Sequence, residues 1–204
     1  MSAPRLIFTV GHSSQPIEEF IGQLQQHEIQ VLADVRSVPY SSRYPHFSRE
    51  SLQKSLIVGG IRYLFLGREL GARRDEPECY IDGRASYEEI TKLPNFKRGI
   101  ERLLEGTEKR RIALMCAEHD PLTCHRTILI SRELAHHAVT IRHIVRGGEL
   151  ETHEHAEKRL ITEEFGGDAQ PDLFAGAASA DGRLNEAYHV RGDRIAYRRD
   201  ASKS

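Results

Sequence analysis

Long apolar segments, cysteine and net charge are what this 204-residue sequence lacks, and each lack excludes a class of protein. No apolar run reaches the roughly 18–20 residues that span a bilayer, and the N-terminus MSAPRLIFTVGHS does not have a signal-peptide layout. We therefore expect no membrane partner and a cytoplasmic location. Three cysteines are too few for a disulfide scaffold, which favours a reducing compartment. A formal net charge of −1 argues against a protein that coats DNA non-specifically.

Common nucleotide and hydrolase motifs are also missing. The chain has no G-x-x-x-x-G-K-[ST] phosphate loop, no G-x-G-x-x-G dinucleotide fingerprint and no G-x-S-x-G nucleophile elbow. Lysine is scarce as well: of 29 basic residues only six are Lys, so 23 are Arg. Arginine has a planar fork that grips carboxylates and phosphates at two points, so the positions of these residues carry information.

Short apolar runs alternate with helical patterns through the first 150 residues. Strands are predicted at residues 6–10, 29–34, 61–66, 111–116 and 139–145. Strand–helix alternation predicts a mostly parallel sheet with helices on both faces. The expected fold class is therefore α/β, a three-layer sandwich whose mostly parallel sheet has about five strands.

The composition of the chain changes after residue 150 and predicts two parts. Residues 1–150 are expected to form the α/β domain, and residues 151–204 a charged helix, a linker and a small C-terminal extension. The helix is predicted over 151–161, the Gly- and Ala-rich linker over 166–182, and a hairpin about Gly192-Asp193 within 188–199. Inside the first part, residues 67–86 are rich in Gly, Arg and acids and predict an irregular, mobile loop.

Polar side chains follow four of the predicted strands. Ligands of an open parallel sheet bind beyond the carboxyl ends of its strands, so we expect these side chains at one rim. The residues predicted to do chemistry there are Cys124, His12, Glu118 and His125. The residues predicted to contact the ligand are Ser13, Asp34, Arg36, Arg43, Cys116 and Arg126.

Cys124 is the most informative of these residues because it opens a predicted helix. Free N–H groups and the positive end of the helix dipole favour an anion at this position and lower the pKa of a thiol. We predict that Cys124 acts as a thiolate nucleophile, while His12 or Glu118 moves a proton. The alternative for Cys124 is a capping role, and for Cys116 a buried structural role.

A metal site is a rival use of the same residues. Cys116, Cys124, His125 and His12 are ligands of the types that zinc prefers. The chain has no C-x-x-C pair, and the seven residues between Cys116 and Cys124 are not the spacing of a common zinc knuckle. We therefore predict no cofactor and keep a metal at these four residues as the alternative.

Several segments together resemble a known family. They are TVGHS at 9–13, DVRSVPYSSR at 34–43 with Pro45, GIRY at 60–63, LG at 70–71, LMCAE at 114–118 and CHR at 124–126. In collinear order over residues 6–146 they resemble the family called domain of unknown function 488, and RIAYR at 194–198 resembles the C-terminal extension of longer members. The resemblance implies a Rossmann-like α/β domain and no established reaction. The polar residues that members share fall on the ten rim residues named above.

Three functions follow as hypotheses. The first is an enzyme, a Cys-dependent hydrolase or transferase, that acts on a phosphate-bearing or nucleotide-like ligand. The alternative is a non-catalytic module that binds or senses a nucleotide or nucleic acid in the same pocket, and the second alternative is a metal-assisted hydrolase. The expected partner is a small anionic or nucleotide-like ligand, with nucleic acid as the alternative. The sequence leaves the oligomeric state open.

Overall fold

The structure is a computed structural model that describes residues 5–166 and 180–199. The strands in these ranges are β1 (Arg5–Gly11), β2 (Val31–Asp34), β3 (Arg62–Phe65), β4 (Tyr80–Ile81), β5 (Arg84–Ala85), β6 (Ile112–Cys116), β7 (Val139–Ile144) and β8 (Leu150–Thr152). The α-helices are α1 (Ile17–Gln26), α2 (Arg49–Val58), α3 (Gly67–Leu70), α4 (Tyr87–Lys92), α5 (Pro94–Thr107), α6 (Arg132–Ala135), α7 (His153–Phe165) and α8 (Ala180–Ile195). A π-helical segment, Arg126–Ser131, leads directly into α6. None of the helices in the described ranges has the length and apolar character that crossing a bilayer requires.

Six of the strands form one sheet in the order β3-β2-β6-β1-β7-β8. The first five of these run parallel, and β8 pairs antiparallel with β7 at the edge. The five predicted strands are confirmed, but the expected count of about five becomes six. The sequence pattern missed β8 because this strand has three residues and buries none of them.

Helices cover both faces of the sheet and complete the three predicted layers. On one face, Phe20 of α1 and Leu52 of α2 belong to the buried cluster around Met115. On the other face, Leu129 of the π-helical segment and helix α5 share a buried cluster with Cys116. Neighbouring residues of β6 thus point to opposite faces, as the two-residue period of a strand requires. Burying one large apolar side chain in such a cluster stabilises the fold by about 1.5–3 kcal/mol.

The parallel register decides which strand ends meet. Gly11 at the end of β1 lies opposite Cys116 at the end of β6, and Asp34 at the end of β2 lies opposite Met115. The loops that follow these three strands therefore leave the Rossmann-like α/β sandwich side by side, at one edge of the sheet. This is the edge where the sequence predicts the ligand site.

Residues 67–86 do not form the irregular loop that their composition predicts. The chain there folds into α3, a 3₁₀ turn at Pro77–Cys79 and the β4–β5 hairpin. The guanidinium of Arg74 is buried and donates hydrogen bonds to the carbonyl oxygens of Arg68 and Glu69, at 3.0 and 3.1 Å. A stretch rich in glycine and charge is therefore fixed around one buried cation, and the prediction of an irregular loop is wrong.

The hairpin predicted within residues 188–199 is also wrong, because helix α8 continues through most of this segment. Ala187 and Tyr188 lie on the face of α8 that packs into a buried cluster with α7. On the same helix, Arg191 is buried and pairs with Glu163 of α7 at 2.9 Å. The Gly-Asp pair that is typical of a turn is overridden by this packing.

The predicted linker falls mostly outside the described residues. Residues 167–179 belong to that part of the chain, and residues 180–182 already form the start of α8. The charged helix predicted over 151–161 is present as α7, but its first two predicted residues belong to β8. The sequence pattern placed the helix correctly and missed the short strand that precedes it.

After α8 the chain returns to the β4–β5 hairpin. The N–H of Ala85 donates to the carbonyl oxygen of Tyr197 at 2.9 Å, and the N–H of Arg199 donates to that of Gly83 at 2.8 Å. The guanidinium of Arg199 lies 3.7 Å from the ring centroid of Tyr80. The end of the described chain is thus held beside the first part of the molecule.

Candidate active site

A cavity of about 810 Å³ opens at the edge of the sheet where β1, β2 and β6 end. Its lining includes eight of the ten predicted site residues, namely His12, Ser13, Arg36, Arg43, Cys116, Glu118, Cys124 and His125. Asp34 and Arg126 are fully buried and are not part of the lining. The volume lies within the roughly 300–1,000 Å³ of small-molecule sites. The structure therefore brings most of the predicted residues into one concave site.

The two cysteines of the site meet because the loop between them turns back. Cys116 is the last residue of β6, and a 3₁₀ turn at Pro121–Thr123 returns the chain to the same edge of the sheet. The carboxylate of Asp120 accepts a hydrogen bond from the N–H of Leu122 at 2.9 Å and fixes the start of that turn. Cys124 follows the turn directly, so it lies close to Cys116 in space although the two are separated along the chain.

Arg126 holds this loop in place. Its guanidinium donates to the carbonyl oxygens of Glu118 and His119, at 2.6 and 2.8 Å. Gly11 presses on the loop from the other side, since a Cβ at this position would lie 1.8 Å from the carbonyl oxygen of Glu118. The prediction that Arg126 contacts an anionic ligand is thus replaced by a supporting position beneath the cavity.

Cys116, Cys124 and His125 form a compact cluster in the cavity floor. The Nδ1 atom of His125 lies 3.6 Å from Sγ of Cys116 and 3.8 Å from Sγ of Cys124. Nε2 of the same ring lies 3.0 Å from the carbonyl oxygen of Val35. A carbonyl oxygen only accepts hydrogen bonds, so Nε2 carries the hydrogen and Nδ1 faces the two sulfurs.

The two thiols differ in their pKa. Burial by itself raises the pKa of Cys124, but a hydrogen bond from Cys116 and the positive charge of Arg126 hold it well below its ordinary value. The pKa of Cys116 moves well above its ordinary value, because of its close interaction with the sulfur of Cys124 and its burial. The N–H of Arg126 also donates to Sγ of Cys124, at 3.4 Å. Of the two sulfurs, Cys124 is therefore the one whose surroundings favour a thiolate.

The pKa values of Glu118 and His125 are both raised, and Cys124 contributes to each shift. Burial raises the pKa of Glu118, and the charge of Cys124 raises it further. Burial lowers the pKa of His125, but the neighbouring Cys124 outweighs this effect and raises it. Glu118 Oε2 lies 3.1 Å from Sγ of Cys116, within reach of the thiol hydrogen. The floor thus combines two sulfurs, an imidazole and a carboxyl group, all facing one cavity.

Arg36 lines the cavity but is mostly occupied by a buried carboxylate. Its Nε and Nη2 donate to the two oxygens of Asp34, at 2.9 and 2.7 Å, and Nη2 also donates to the carbonyl oxygen of Phe47. The hydroxyl of Tyr63 donates to Asp34 as well, at 2.8 Å. Asp34 therefore orients and neutralises Arg36 instead of touching a ligand. One Nη1 hydrogen of Arg36 bonds to His12, which leaves the other for the cavity.

His12 is held in a neutral state that leaves neither ring nitrogen free. Nδ1 donates to the carbonyl oxygen of Ser13 at 2.9 Å, so Nε2 is the atom that accepts from Nη1 of Arg36 at 3.2 Å. Burial lowers the pKa of His12 to about 4. The ring also stacks on Phe47 with the centroids 4.2 Å apart. In place of the predicted proton transfer, this geometry has His12 position Arg36.

Two arginines at the mouth of the cavity have no ion pair with an acidic side chain among the described residues. Arg43 and Arg73 are both exposed. Their guanidinium carbons lie 5.6 and 4.8 Å from the ring centroids of Tyr44 and Tyr197, respectively. Both positive charges therefore lie at the mouth of the cavity and are exposed to solvent.

Sequence reasoning missed the part of the wall that the C-terminal extension supplies. Ile195 and Tyr197 line the cavity, far along the chain from its other residues. No local pattern around residue 197 signals this contact, because it depends on how α8 packs. Tyr87 is a further lining residue that the sequence does not distinguish from other tyrosines.

A family model described as "Domain of unknown function DUF488" matches residues 16–132 of the chain. The match covers more than half of the chain, and it includes Cys116, Cys124 and His125. It ends before α7, so the part of the cavity wall at residues 195 and 197 lies outside it. No curated protein and no solved structure matches the chain.

Proposed function

The chain belongs to the family described as domain of unknown function DUF488, and from its cavity we propose that it is an enzyme acting on a phosphate-bearing or nucleotide-like ligand. The observation that carries the proposal is the gathering of Cys116, Glu118, Cys124 and His125 at the floor of one solvent-accessible cavity. Ionisable groups with strongly shifted pKa values cluster at functional sites, because acids, bases and nucleophiles need pKa values that are matched to their tasks.

The mouth of the cavity supports an anionic ligand. Arg43 and Arg73 carry positive charge with no acidic partner among the described residues, and Arg36 contributes one N–H from deeper in the site. Arginine binds phosphate through charge-assisted hydrogen bonds. Tyr40, which is 68% exposed, and Tyr44 offer flat faces beside these charges, on which a nucleobase can stack.

The reaction takes place at the floor. Glu118 is the carboxyl group placed to take or give a proton. Cys124 is the sulfur whose pKa is lowered, and it helps to raise the pKa of Glu118. Both thiols must stay reduced for this arrangement, which supports a cytoplasmic location.

Binding of nucleoside phosphates tests the proposal. Calorimetric titrations with nucleoside mono-, di- and triphosphates at about 50 and about 200 mM salt are expected to show binding that weakens with salt. Replacing Arg43 and Arg73 by Gln removes two charge-assisted contacts, so affinity is expected to fall by about tenfold for each arginine. Arg110→Gln, at an exposed position that does not line the cavity, is the matched control and keeps the affinity.

Turnover separates the enzyme from a binding module. Incubation with each bound nucleotide, followed by ³¹P spectroscopy, is expected to show product with the native chain and none with Cys124→Ser. Tight binding with every nucleotide recovered intact would favour the non-catalytic module. Absence of binding by all the nucleoside phosphates at millimolar concentration would refute the proposed ligand class.

A further inference from the structure

We propose that Cys116, Cys124 and His125 bind a zinc ion in the floor of the cavity. The proposal deepens the function proposed above and rests on it for the reaction, but the metal site itself stands on the geometry of three side chains. Their ligand atoms, two sulfurs and one imidazole nitrogen, all lie within 4.8 Å of one another.

The distances match those of a tetrahedral zinc site. Zn–S bonds of about 2.3 Å and Zn–N bonds of about 2.0–2.1 Å, at a tetrahedral angle, put sulfur and nitrogen about 3.6 Å apart. Nδ1 of His125 lies 3.6 and 3.8 Å from the two sulfurs. One ion can therefore reach all three atoms with little rearrangement.

The imidazole of His125 is oriented as a metal ligand requires. Its Nε2 hydrogen bonds to the carbonyl oxygen of Val35 at 3.0 Å, so the lone pair of Nδ1 points at the sulfurs. Metal-binding histidines almost always donate their other ring N–H to a carbonyl or carboxylate in this way. Val35 follows β2 directly, so the sheet itself fixes the ring.

The loop that carries the ligands is rigid without any metal. Arg126 is fully buried and bonds to two carbonyl oxygens of the segment between Cys116 and Cys124. The backbone N–H groups of His12 and Ser13 tie the same segment to the end of β1, at 3.0 and 2.9 Å. A site organised in advance binds an ion without having to order its own loop.

His12, the fourth ligand suggested by the sequence, does not belong to the set. Both of its ring nitrogens are engaged, one by Ser13 and the other by Arg36. The protein thus supplies two sulfurs and one nitrogen, and all three residues line the cavity, so a molecule in the cavity could take the fourth position of the ion. Three protein ligands with one open position are the arrangement of catalytic zinc, whereas structural zinc takes four protein ligands.

Soft sulfur ligands with one imidazole select zinc over magnesium and calcium, which prefer oxygen. In this arrangement the sulfur of Cys124 is a metal ligand and not the nucleophile expected from the sequence.

Hydrolysis is the reaction class that follows from a zinc ion at this site. A zinc ion held by these residues would lower the pKa of a water molecule bound to it. Glu118 would take the proton of that water as its oxygen bonds to the electrophilic centre of the ligand, and would pass the proton to the leaving group as the old bond to that centre breaks.

Metal analysis of the full chain, purified without a histidine tag, tests the site. After equilibration with Zn²⁺ and gel filtration, mass spectrometry is expected to find close to one zinc per chain. Cys116→Ser and Cys124→Ser are expected to weaken zinc binding by more than the roughly tenfold to hundredfold that loss of an outer hydrogen-bond partner costs. Serine at position 124 keeps a cap for the helix start, and Cys79→Ser, at a buried cysteine outside the cavity, is the control that keeps its zinc.

Cobalt gives a second readout that does not depend on activity. Co²⁺ in place of zinc is expected to show the strong visible bands of a tetrahedral site and a thiolate charge-transfer band, both lost in the two cavity variants. Native chain that is folded by circular dichroism but holds far less than one zinc, and shows no such cobalt spectrum, would overturn the site. Stoichiometric zinc in both cavity variants would do the same.

Failure of the metal site and failure of the proposed function are distinguishable. Zinc and cobalt are measured with no nucleotide present, and nucleotide binding is measured with and without a chelator. Stoichiometric zinc without nucleotide binding refutes the ligand class alone, and nucleotide turnover that persists in chelator refutes the metal alone.

Discussion

At the scale of single residues, the role of a side chain in this cavity depends on its hydrogen-bond partners more than on its residue type. His12 and His125 both follow or face a strand end, and the sequence predicts that both take part in the chemistry of the site. Nε2 of His12 accepts a hydrogen bond from Arg36, whereas Nδ1 of His125 faces two sulfurs. The sequence therefore predicted most of the residues that line the cavity. It did not predict how the two imidazole rings are oriented, because spacing along the chain does not encode orientation.

Gly11 is the residue where a single methyl group has the largest expected effect. A Cβ there would lie 1.8 Å from the carbonyl oxygen of Glu118, a backbone atom that does not move without its loop. Gly11→Ala is expected to destabilise the protein by about 2 kcal/mol or more, in the range of severe overpacking. Chemical denaturation measures this.

A matched glycine provides the control for that measurement. Gly22 lies inside α1, and a Cβ at this position has no heavy atom within 4 Å. Gly22→Ala is expected to stabilise the protein by about 0.5–1 kcal/mol, because alanine is the better helix former. If Gly11→Ala left the free energy of unfolding unchanged, or changed it as Gly22→Ala does, the close approach of the loop to Gly11 would be contradicted.

At the scale of elements, strands were easier to predict than the helices and turns of the C-terminal part. The five parallel strands are short apolar runs, a signal that needs no partner to be recognised. Helix α8 contains a Gly-Asp pair that favours a turn, and only its packing on α7 makes it helical. The same dependence on a partner explains why β8, a short edge strand beside β7, was missed.

A chain of hydrogen bonds links four of these elements through the interior. The carboxylate of Glu157 accepts from Tyr188 at 3.0 Å, so the Tyr188 oxygen accepts from Nε2 of His153 at 3.3 Å. Nδ1 of His153 then accepts from Nε2 of His143 at 3.1 Å, and Nδ1 of His143 accepts from the hydroxyl of Thr9 at 2.8 Å. The terminal carboxylate thus sets the direction of every bond in the chain, and both histidines are neutral.

The two buried histidines of this hydrogen-bond chain predict that the protein loses stability in acid. Burial lowers the pKa of His153 from 6.5 to about 4, and burial also lowers that of His143. Between these values the unfolded chain binds protons that the folded chain does not. Stability is therefore complete above pH 6.5 and falls as the pH drops towards 4, by up to about 1.4 kcal/mol per pH unit for each such histidine.

Urea denaturation at several pH values between 7.5 and 4.5 measures this dependence. His153→Gln keeps an amide that can accept from His143 and donate to Tyr188, so the variant is expected to fold and to show a shallower dependence on pH. His155→Gln, at an exposed position two residues away, is the control and keeps the native slope. Identical slopes in the native chain and His153→Gln would rule out the buried neutral histidine.

At the scale of the whole molecule, the cavity is built from segments that are distant along the chain. Its floor comes from the range that the family model matches, while Tyr197 belongs to the C-terminal extension. The cation that holds this extension is Arg199, whose Nη2 donates to the carbonyl oxygens of Arg74 and Asp75 at 3.0 and 2.9 Å. The extension is therefore a wall of the site as well as an appendage to it.

Removing that cation is expected to release the wall without unfolding the sheet. In Arg199→Ala the amide of Ala85, which donates to Tyr197, loses a fixed partner and is expected to exchange its hydrogen faster. Amides of β6 keep their native protection, because no contact of Arg199 reaches them. Hydrogen exchange followed by mass spectrometry separates the two outcomes: unchanged exchange at Ala85 would refute the anchoring role, and faster exchange in β6 would reveal global destabilisation.

The wide turn that follows His125 has one more consequence. Over Arg126–Ser131 the backbone is wound as a π-helix, with all six side chains buried, before it tightens into α6. A π turn contains one residue more than an α turn, so this segment holds one extra residue beside the edge of the sheet where the cavity opens. A chain shortened by one residue here would rewind as an ordinary α-helix, and the side chains beyond the deletion would shift in phase by about 100° relative to the sheet. The single surplus residue thus sets the angular phase between the cysteine-bearing loop and the rest of its helix.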